Sequence, residues 1–194
     1  MHPTDEELAG AYAERGDDHA FRILVERHQE KVYGYLLGMV RDRAVADDLF
    51  QETFIRVIAA LRKDRGSYHH QGRFLGWIMR IARNAALDHL RTRKKWQDVP
   101  DNEDFSWWDT LPADDLPTDD VLQAGQEADI LMACIDRLPP EQREVVLLRH
   151  ESDLTFREIA ALTDCSINTA LGRMRYALLN LRKMLEVTEL PVGA

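Results

Sequence analysis

The stretch FREIAALTDCSINTALGRMRY, residues 156–176, predicts two short helices joined by a tight turn. Thr155 and Glu158 have the spacing of a capping box, which marks the start of the first helix. Ala160 is small enough for two helices to approach closely. Asp164 stands four residues later, where such a turn commonly needs a positive φ that Asp tolerates better than most residues. This is the pattern of a helix-turn-helix, whose second helix enters the major groove of DNA.

The two helices of this motif have distinct predicted faces. The inner seam is predicted to contain Ile159, Leu162, Ile167 and Ala170. The second helix, capped by Ser166, presents polar and basic groups outward, namely Asn168, Thr169, Arg173, Arg175 and Tyr176. Such side chains can reach base edges and phosphates. An ordinary helical hairpin with a solvated basic face would show the same pattern, so the motif alone leaves both interpretations open.

The charge of the chain conflicts at first sight with DNA binding. Its 194 residues carry a formal net charge of -9, whereas DNA-binding surfaces are normally basic. The acidity is confined to one segment, because residues 98–129 hold 11 Asp/Glu and no Lys/Arg, while residues 1–97 have a net charge of +3. The same segment contains Pro100, Pro112 and Pro117. We therefore predict an acidic flexible linker over residues 98–119, between domains at 1–97 and 120–194.

Both domains are predicted to be entirely helical, because no stretch shows the sustained alternation of a strand. In the first domain, Thr4 and Glu7 form a second capping-box pattern, and three longer helices are predicted over about 17–39, 44–61 and 73–95. In the second domain, helices are predicted through Leu131 and Ile135, over 141–150, and in the helix-turn-helix to about residue 186. The fold class is thus all-α, with a four-helix bundle followed by a helix-turn-helix domain.

The fourth helix carries a basic tract with interleaved aromatic residues. Its cations are Arg73, Arg80, Arg83, Arg91, Arg93, Lys94 and Lys95, opposed only by Asp88, and the aromatic residues are Tyr68, Phe74, Trp77 and Trp96. Cations that follow phosphates and rings that stack on bases suit single-stranded nucleic acid. Alternatively, Phe74 and Trp77 belong to the core and the charges only solvate one face.

The third helix contains the acidic stretch ADDLFQETF, residues 46–54. Asp47 with Gln51, and Asp48 with Glu52, are spaced to share a helix face that suits a basic protein partner. Paired carboxylates also suggest a small metal-dependent hydrolase, but no His or third carboxylate at ligand spacing joins them. The isolated Cys134 and Cys165 form no metal motif. We therefore predict no catalytic residues, no metal site and no cofactor.

The sequence also predicts a cytoplasmic location. No run approaches the 18 apolar residues of a membrane span, and the acidic N-terminal segment is unlike a secretory signal peptide.

Three stretches together resemble the extracytoplasmic-function sigma factors of the bacterial sigma-70 family. They are ADDLFQETFIRV (46–57), GRFLGWIMRIARNAALDHLRTRKK (72–95) and LPPEQREVVLLRHESDLTFREIAALTDCSINTALGRMRYALLNLRK (138–183). Their order and spacing match, and the resemblance covers roughly residues 10–186. It implies a promoter-specificity subunit that binds core RNA polymerase, recognises −35 and −10 promoter elements and helps to open the DNA.

The resemblance also implies roles for particular residues. The acidic helix would bind the clamp helices of the polymerase beta-prime subunit through Asp47, Asp48, Leu49, Gln51, Glu52 and Phe54. The fourth helix and its preceding loop would open the −10 element through Arg65, Arg73, Trp77, Arg80, Asn84, Asp88 and Arg91. The second domain would pack on the beta flap and read the −35 element through Asn168, Thr169, Arg173, Arg175 and Tyr176. An anti-sigma factor is a further candidate partner.

The recognition helix departs from the family pattern. Leu171 and Gly172 stand where relatives often have basic and hydroxyl side chains, and Asp164 replaces the turn glycine. The −35 sequence is therefore left open. A stand-alone helix-turn-helix regulator remains the main alternative, although it leaves the basic fourth helix and the acidic third helix without a role.

Overall fold

The structure is a computed structural model that describes residues 3–63, 74–96 and 124–188. Within these ranges every regular element is an α-helix, which confirms the all-α prediction. The helices are α1 (Asp5–Arg15), α2 (Asp18–Val40), α3 (Arg43–Lys63), α4 (Phe74–Trp96), α5 (Ala124–Asp136), α6 (Pro140–His150), α7 (Phe156–Leu162) and α8 (Ile167–Thr188). The whole predicted linker, residues 98–119, and the loop before α4 lie outside the described residues.

Local capping explains why α1 and α2 begin where they do. The backbone N–H of Glu7 donates to Thr4 Oγ1 at 3.2 Å, and the N–H of Thr4 donates to Glu7 Oε2 at 2.8 Å. This is the predicted capping box. Gly16, at a φ of 66°, ends α1, and Asp17 then caps α2 by accepting from two backbone N–H groups at 3.1 Å.

The first bundle is built around α2, which packs against α1, α3, α4 and also α6. Its interior contains fully buried side chains at the helical spacing seen in the sequence, among them Leu24, Val32, Leu36, Val57, Phe74 and Ile78. An apolar stripe that recurs every three to four residues packs on one face of a helix, which is why these core positions could be predicted.

The second bundle packs α5, α6 and α7 against α8. Its core holds Val145, Leu148, Leu154, Ile159, Ala170 and Ala177. Ile159, Leu162 and Ala170 occupy the predicted inner seam, but the prediction for Ile167 was wrong, since this side chain is 42% exposed. Ile167 is the first residue of α8 and lies on the same side of this helix as Leu171, which is also exposed.

The two bundles pack against one another through α2 with α6 and α4 with α7. Gly38 of α2 is buried beside Leu147 of α6, and the hydroxyl of Ser152 lies 3.5 Å from the sulfur of Met79. None of the described helices is long and apolar enough to cross a bilayer.

Candidate nucleic-acid interface

The helix-turn-helix forms as the sequence predicts. Thr155 and Glu158 complete a reciprocal capping box at the start of α7, with distances of 2.7 Å and 3.3 Å. The N–H of Cys165 donates to the carbonyl of Ala160 at 3.0 Å, which closes the turn. Asp164 has a φ of 54°, so it takes the left-handed conformation that the turn requires.

The start of α8 presents most of the predicted −35 side chains to solvent. Asn168, Thr169, Arg175 and Tyr176 are exposed, Tyr176 at 61%, whereas Arg173 is half-buried. The hydroxyl of Thr169 lies 2.8 Å from that of Ser166, whose Oγ also accepts the Thr169 N–H at 3.0 Å. Thr169 therefore already takes part in the helix cap, while the exposed Arg175 supplies a positive charge.

Helix α4 presents a polar stripe on its outer side. Arg80, Asn84, Asp88 and Arg91 are exposed and recur at helical spacing, so they line one face. Trp77, one turn before Arg80, is half-buried with its ring centroid 5.7 Å from that of Phe74. The stripe thus begins at an aromatic ring that is supported by the core. Arg65, Arg73 and the side chains of the tract beyond Thr92 lie outside the described residues.

Arg83 differs from the rest of the basic tract. It is half-buried and turns toward α6, where its Nε donates to Glu144 Oε1 at 2.7 Å and its Nη2 to Oε2 at 3.4 Å. The sequence interpretation placed it with the solvated or nucleic-acid-binding cations. Its partner lies 61 residues away, so no local pattern could have revealed the contact.

The acidic face of α3 divides into exposed and buried members. Asp47, Asp48 and Gln51 are exposed, and Glu52 is half-exposed and paired with Arg56. Leu49 and Phe54, in contrast, are buried at 6% and 8% exposure. They lie in the core beneath the face and fix the orientation of α3.

Two exposed apolar features of the structure were not predicted from the sequence. Ile55, 64% exposed, lies seven residues after Asp48 and so continues the acidic face of α3. A groove along α8 is lined by Phe156, Leu171, Met174, Leu178 and Leu179, with Arg175 and Arg182 at its edge. The spacing of these leucines along α8 was a signal for a second apolar stripe, but nothing local distinguished it from the buried one.

Two titratable groups in the first bundle have shifted pKa values. Burial lowers the pKa of His28 despite the opposing effect of Asp5, whose Oδ2 lies 2.8 Å from His28 Nε2. Burial and the nearby Glu144 raise the pKa of Tyr35 well above its usual value, so its phenol remains a donor. Within the described parts of the chain, no group of three or more His, Cys, Asp or Glu side chains could hold a metal ion.

Comparison with known proteins agrees with this geometry. The family model described as "Sigma-70 region 2" matches residues 24–96. The family model described as "Sigma-70, region 4" matches residues 128–181. The RNA polymerase sigma factor CarQ of Myxococcus xanthus is 36% identical over 92% of this chain and 96% of its own length. The ECF RNA polymerase sigma-E factor of Haemophilus influenzae is 31% identical over 94% of both chains.

A solved structure shows the same fold. The sigma factor RpoE of Bartonella quintana, in complex with the anti-sigma factor NepR, has a TM-score of 0.66 at 20% identity, covering 86% of this chain and 97% of that chain. The chain therefore belongs to the extracytoplasmic-function sigma factors of the sigma-70 family. It is a promoter-specificity subunit of bacterial RNA polymerase and not an enzyme, and the stand-alone regulator is not favoured.

Proposed function

We propose that this chain binds core polymerase through the exposed acidic face of α3. Asp47, Asp48 and Gln51 extend into solvent, and no other described residue forms an ion pair with either aspartate. Ile55, 64% exposed, adds an apolar contact at the C-terminal end of this face. A carboxylate-rich surface with an apolar residue at one end suits the basic clamp helices of the beta-prime subunit. Leu49 and Phe54 then act from the core, by holding the face in place.

The −10 element is assigned to the outer stripe of α4. Arg80 and Arg91 supply positive charge for phosphates, and Asn84 and Asp88 supply hydrogen-bonding groups for bases. Trp77 offers an aromatic ring at the start of the stripe for stacking on an unpaired base. Arg65 and Arg73 are assigned to the same element on the family resemblance.

The −35 element is assigned to the start of α8. Arg175, Asn168 and Tyr176 extend outward from the capped end of the helix, which is the end that enters a major groove in this motif. Arg173 and Thr169 are assigned to phosphate and edge contacts. The apolar groove of α8, with two arginines at its edge, is assigned to a helix of the polymerase flap, and an anti-sigma factor is a candidate competitor for it.

The charge distribution favours DNA binding by this chain in complex with the polymerase over DNA binding by the free chain. Specific DNA binding draws on counterion release by Lys and Arg. A free chain of net charge -9, with a segment of net charge -11 at residues 98–129, is poorly suited to that. The domains at 1–97 and 120–194 become DNA readers on the polymerase, with the linker at 98–119 in a basic channel along the transcript path. We assign this promoter recognition to the cytoplasm.

The single observation that carries the proposal is the presence of an exposed acidic α3 face, an exposed α4 stripe and an exposed helix-turn-helix in one chain. Reconstitution tests it. Purified protein mixed with core polymerase should elute as a stable complex and start transcription at discrete sites in a pool of genomic promoters. Absence of a complex, together with duplex binding by the protein alone at physiological salt, would instead support a stand-alone regulator.

A further inference from the structure

The groove along α8 is an open apolar surface with positive charge at its edge. Three of its leucines, Leu171, Leu178 and Leu179, are 44%, 54% and 46% exposed. Its volume is about 460 Å³, which is within the range of roughly 300–1,000 Å³ found for ligand clefts. Contiguous exposed apolar side chains of this kind mark a binding surface. Phe156 and Met174 complete the apolar lining, and Arg175 and Arg182 stand at the edge.

The two arginines at the edge of this groove can each accept a new acidic partner. Arg182 pairs with Glu186 at 2.7 Å, but the two side chains are 79% and 60% exposed, and an ion pair in water contributes little. Arg175 is exposed and forms no ion pair within the described parts of the chain. The groove therefore suits a partner that combines apolar side chains with carboxylates.

One segment of this chain has that composition. Residues 103–111 read EDFSWWDTL, so three aromatic side chains, Phe105, Trp107 and Trp108, stand between acidic residues. Solvated linkers are normally poor in aromatic residues, whereas tryptophan is a common anchor of binding interfaces. Residues 98–129 contain no Lys or Arg, so the acids of the segment have no basic partner within this stretch. The segment thus complements the groove in both hydrophobicity and charge.

The chain allows this segment to reach the groove from both of its tethered ends. Residues 97–107 separate Trp108 from Trp96 at the end of α4, and residues 109–123 separate it from Ala124 at the start of α5. At about 3.4 Å per residue these spans extend to roughly 40 Å and 55 Å. A compact chain of 194 residues is itself about 40 Å across. A segment tethered in this way has an effective concentration of about 1 mM at the groove, so even a weak contact is populated.

We propose that residues 103–111 bind the α8 groove of the same chain in the free protein, with the two tryptophans on the leucines and the flanking acids paired with Arg175 and Arg182. The segment is then an intramolecular competitor for whatever else binds this groove, and it neutralises a cation assigned to the −35 element. The docking depends only on the groove and the segment. The competition with the polymerase flap rests on the proposed function.

Occupation of the groove by the segment lowers the apparent affinity of the flap. A ligand that needs a free groove binds more weakly in proportion to the fraction of chains whose groove is free, so occupation in about nine of ten chains lowers its apparent affinity about tenfold. The same residues are assigned to a basic channel of the polymerase. Their entry into that channel removes the competitor, so the flap binds the groove only after the linker has been taken up.

Photo-crosslinking of the full chain tests the docking. With p-benzoylphenylalanine in place of Leu178, the crosslinked peptides should include residues 103–111 of the same chain. The same group in place of Ile55 on α3 is the matched control, because both positions are more than half exposed and tolerate a larger side chain. Absence of residues 103–111 from the products of position 178, equal crosslinking from both positions, or a product that joins two chains would each overturn the proposal.

Quenching of tryptophan fluorescence by acrylamide gives a second readout of the docking. Leu178→Asp places a negative charge in the groove and repels the segment, which exposes two of the four tryptophans of the chain. We expect stronger quenching than in the wild type. Ile55→Asp makes the same change in charge on α3 and should quench as the wild type does, and circular dichroism should show the same helix content in both variants. Wild-type quenching in Leu178→Asp would contradict the docking.

The affinity for core polymerase tests the competition. Trp107→Ser with Trp108→Ser removes the competitor, and we expect this variant to bind core polymerase about threefold to tenfold more tightly than the wild type. Leu116→Ser changes an apolar residue of the same linker outside the segment and should bind as the wild type does. Equal affinity of the double variant and the wild type would refute the competition. A wild type that does not bind core polymerase would refute the proposed function, while crosslinking and quenching would still decide the docking.

Discussion

Gly38 of α2 lies directly against the side chain of Leu147 in α6, so that a Cβ at position 38 would meet Leu147 Cδ2 at 2.5 Å. Leu147 is almost fully buried and has little space to move. Gly38→Ala should therefore force the two bundles apart, while the added methyl group favours α2 itself by about 1 kcal/mol. We expect a larger radius of gyration with unchanged helix content.

Gly10→Ala is the matched control for this substitution, because a Cβ at Gly10 meets no other atom within 4 Å. It should gain helix stability without changing the size of the particle. If Gly38→Ala is as compact as Gly10→Ala, the contact with Leu147 is not a constraint on closure.

The burial of His28 predicts a pH-dependent stability. Its pKa is lowered in the folded state from the usual 6.5, because burial disfavours the charged ring; protonation would also place a second N–H at Nδ1, which is buried without a partner. The unfolded chain thus binds the proton more readily. The free energy of unfolding should be highest above pH 6.5 and should fall as the pH drops through the folded-state pKa.

Urea unfolding between pH 7.5 and 5.5 measures this dependence. His28→Gln should flatten it, whereas His150→Gln, which changes an exposed side chain, should retain the wild-type slope. Identical slopes in wild type and His28→Gln would contradict the assignment.

Reversal of charge on α3 should weaken polymerase binding. In Asp47→Lys with Asp48→Lys, repulsion replaces attraction at an exposed face, and we expect an affinity for core polymerase at least tenfold lower, about 1.4 kcal/mol. Glu14→Lys, at an exposed position of α1, is the control and should bind normally. Competition for core polymerase against another sigma factor measures the difference. Equal competition by the two variants would remove α3 from the interface.

Substitution of Gly172 should affect the stability of α8 and the binding of DNA in opposite directions. A Cβ at this position meets no protein atom within 4 Å, so Gly172→Ala should stabilise α8 by about 0.5–1 kcal/mol and raise the melting temperature by a few degrees. If the backbone there approaches DNA closely, the methyl group will obstruct it. We therefore expect weaker transcription from −35-dependent promoters alongside higher stability. Full activity would show that DNA does not approach Gly172.

The turn of the helix-turn-helix depends on the conformation of Asp164. Its φ of 54° is strongly unfavourable for a β-branched residue. Asp164→Val should lower the free energy of unfolding by about 1–2 kcal/mol, whereas Asp164→Gly should keep or raise it. Chemical denaturation of the two variants gives the comparison. A tolerated valine would mean that the turn adopts another conformation in solution.

The local features of the fold could be predicted because neighbours in sequence produce them. The boxes at Thr4 and Thr155 use partners three residues away, so sequence alone locates the starts of α1 and α7. The periodicity of α2 likewise predicts which of its residues enter the core. The members of the exposed α4 stripe came instead from the family resemblance, and their recurrence along one helix explains why they share a face.

The prediction that Ile167 lies in the inner seam was wrong because α8 has two apolar stripes, either of which could be buried. Helix α8 has one apolar stripe through Ala170 and Ala177 and another through Ile167, Leu171 and Leu178, and sequence alone cannot say which of them enters the core. The small alanines permit a close approach, which leaves the larger stripe to line an open groove. On α3, packing against α2 buries Leu49 and Phe54.

The sequence by itself determined the helices, their caps, the turn at Asp164 and the concentration of acidity between two domains, because each depends on residues a few positions apart. Only the tertiary structure decided that Arg83 pairs with Glu144, that the side chain of Leu147 packs against Gly38, and that the two bundles pack against each other. These contacts join residues 61 to 109 positions apart. Their formation depends on the packing of whole helices, which no local pattern of charge or hydrophobicity records.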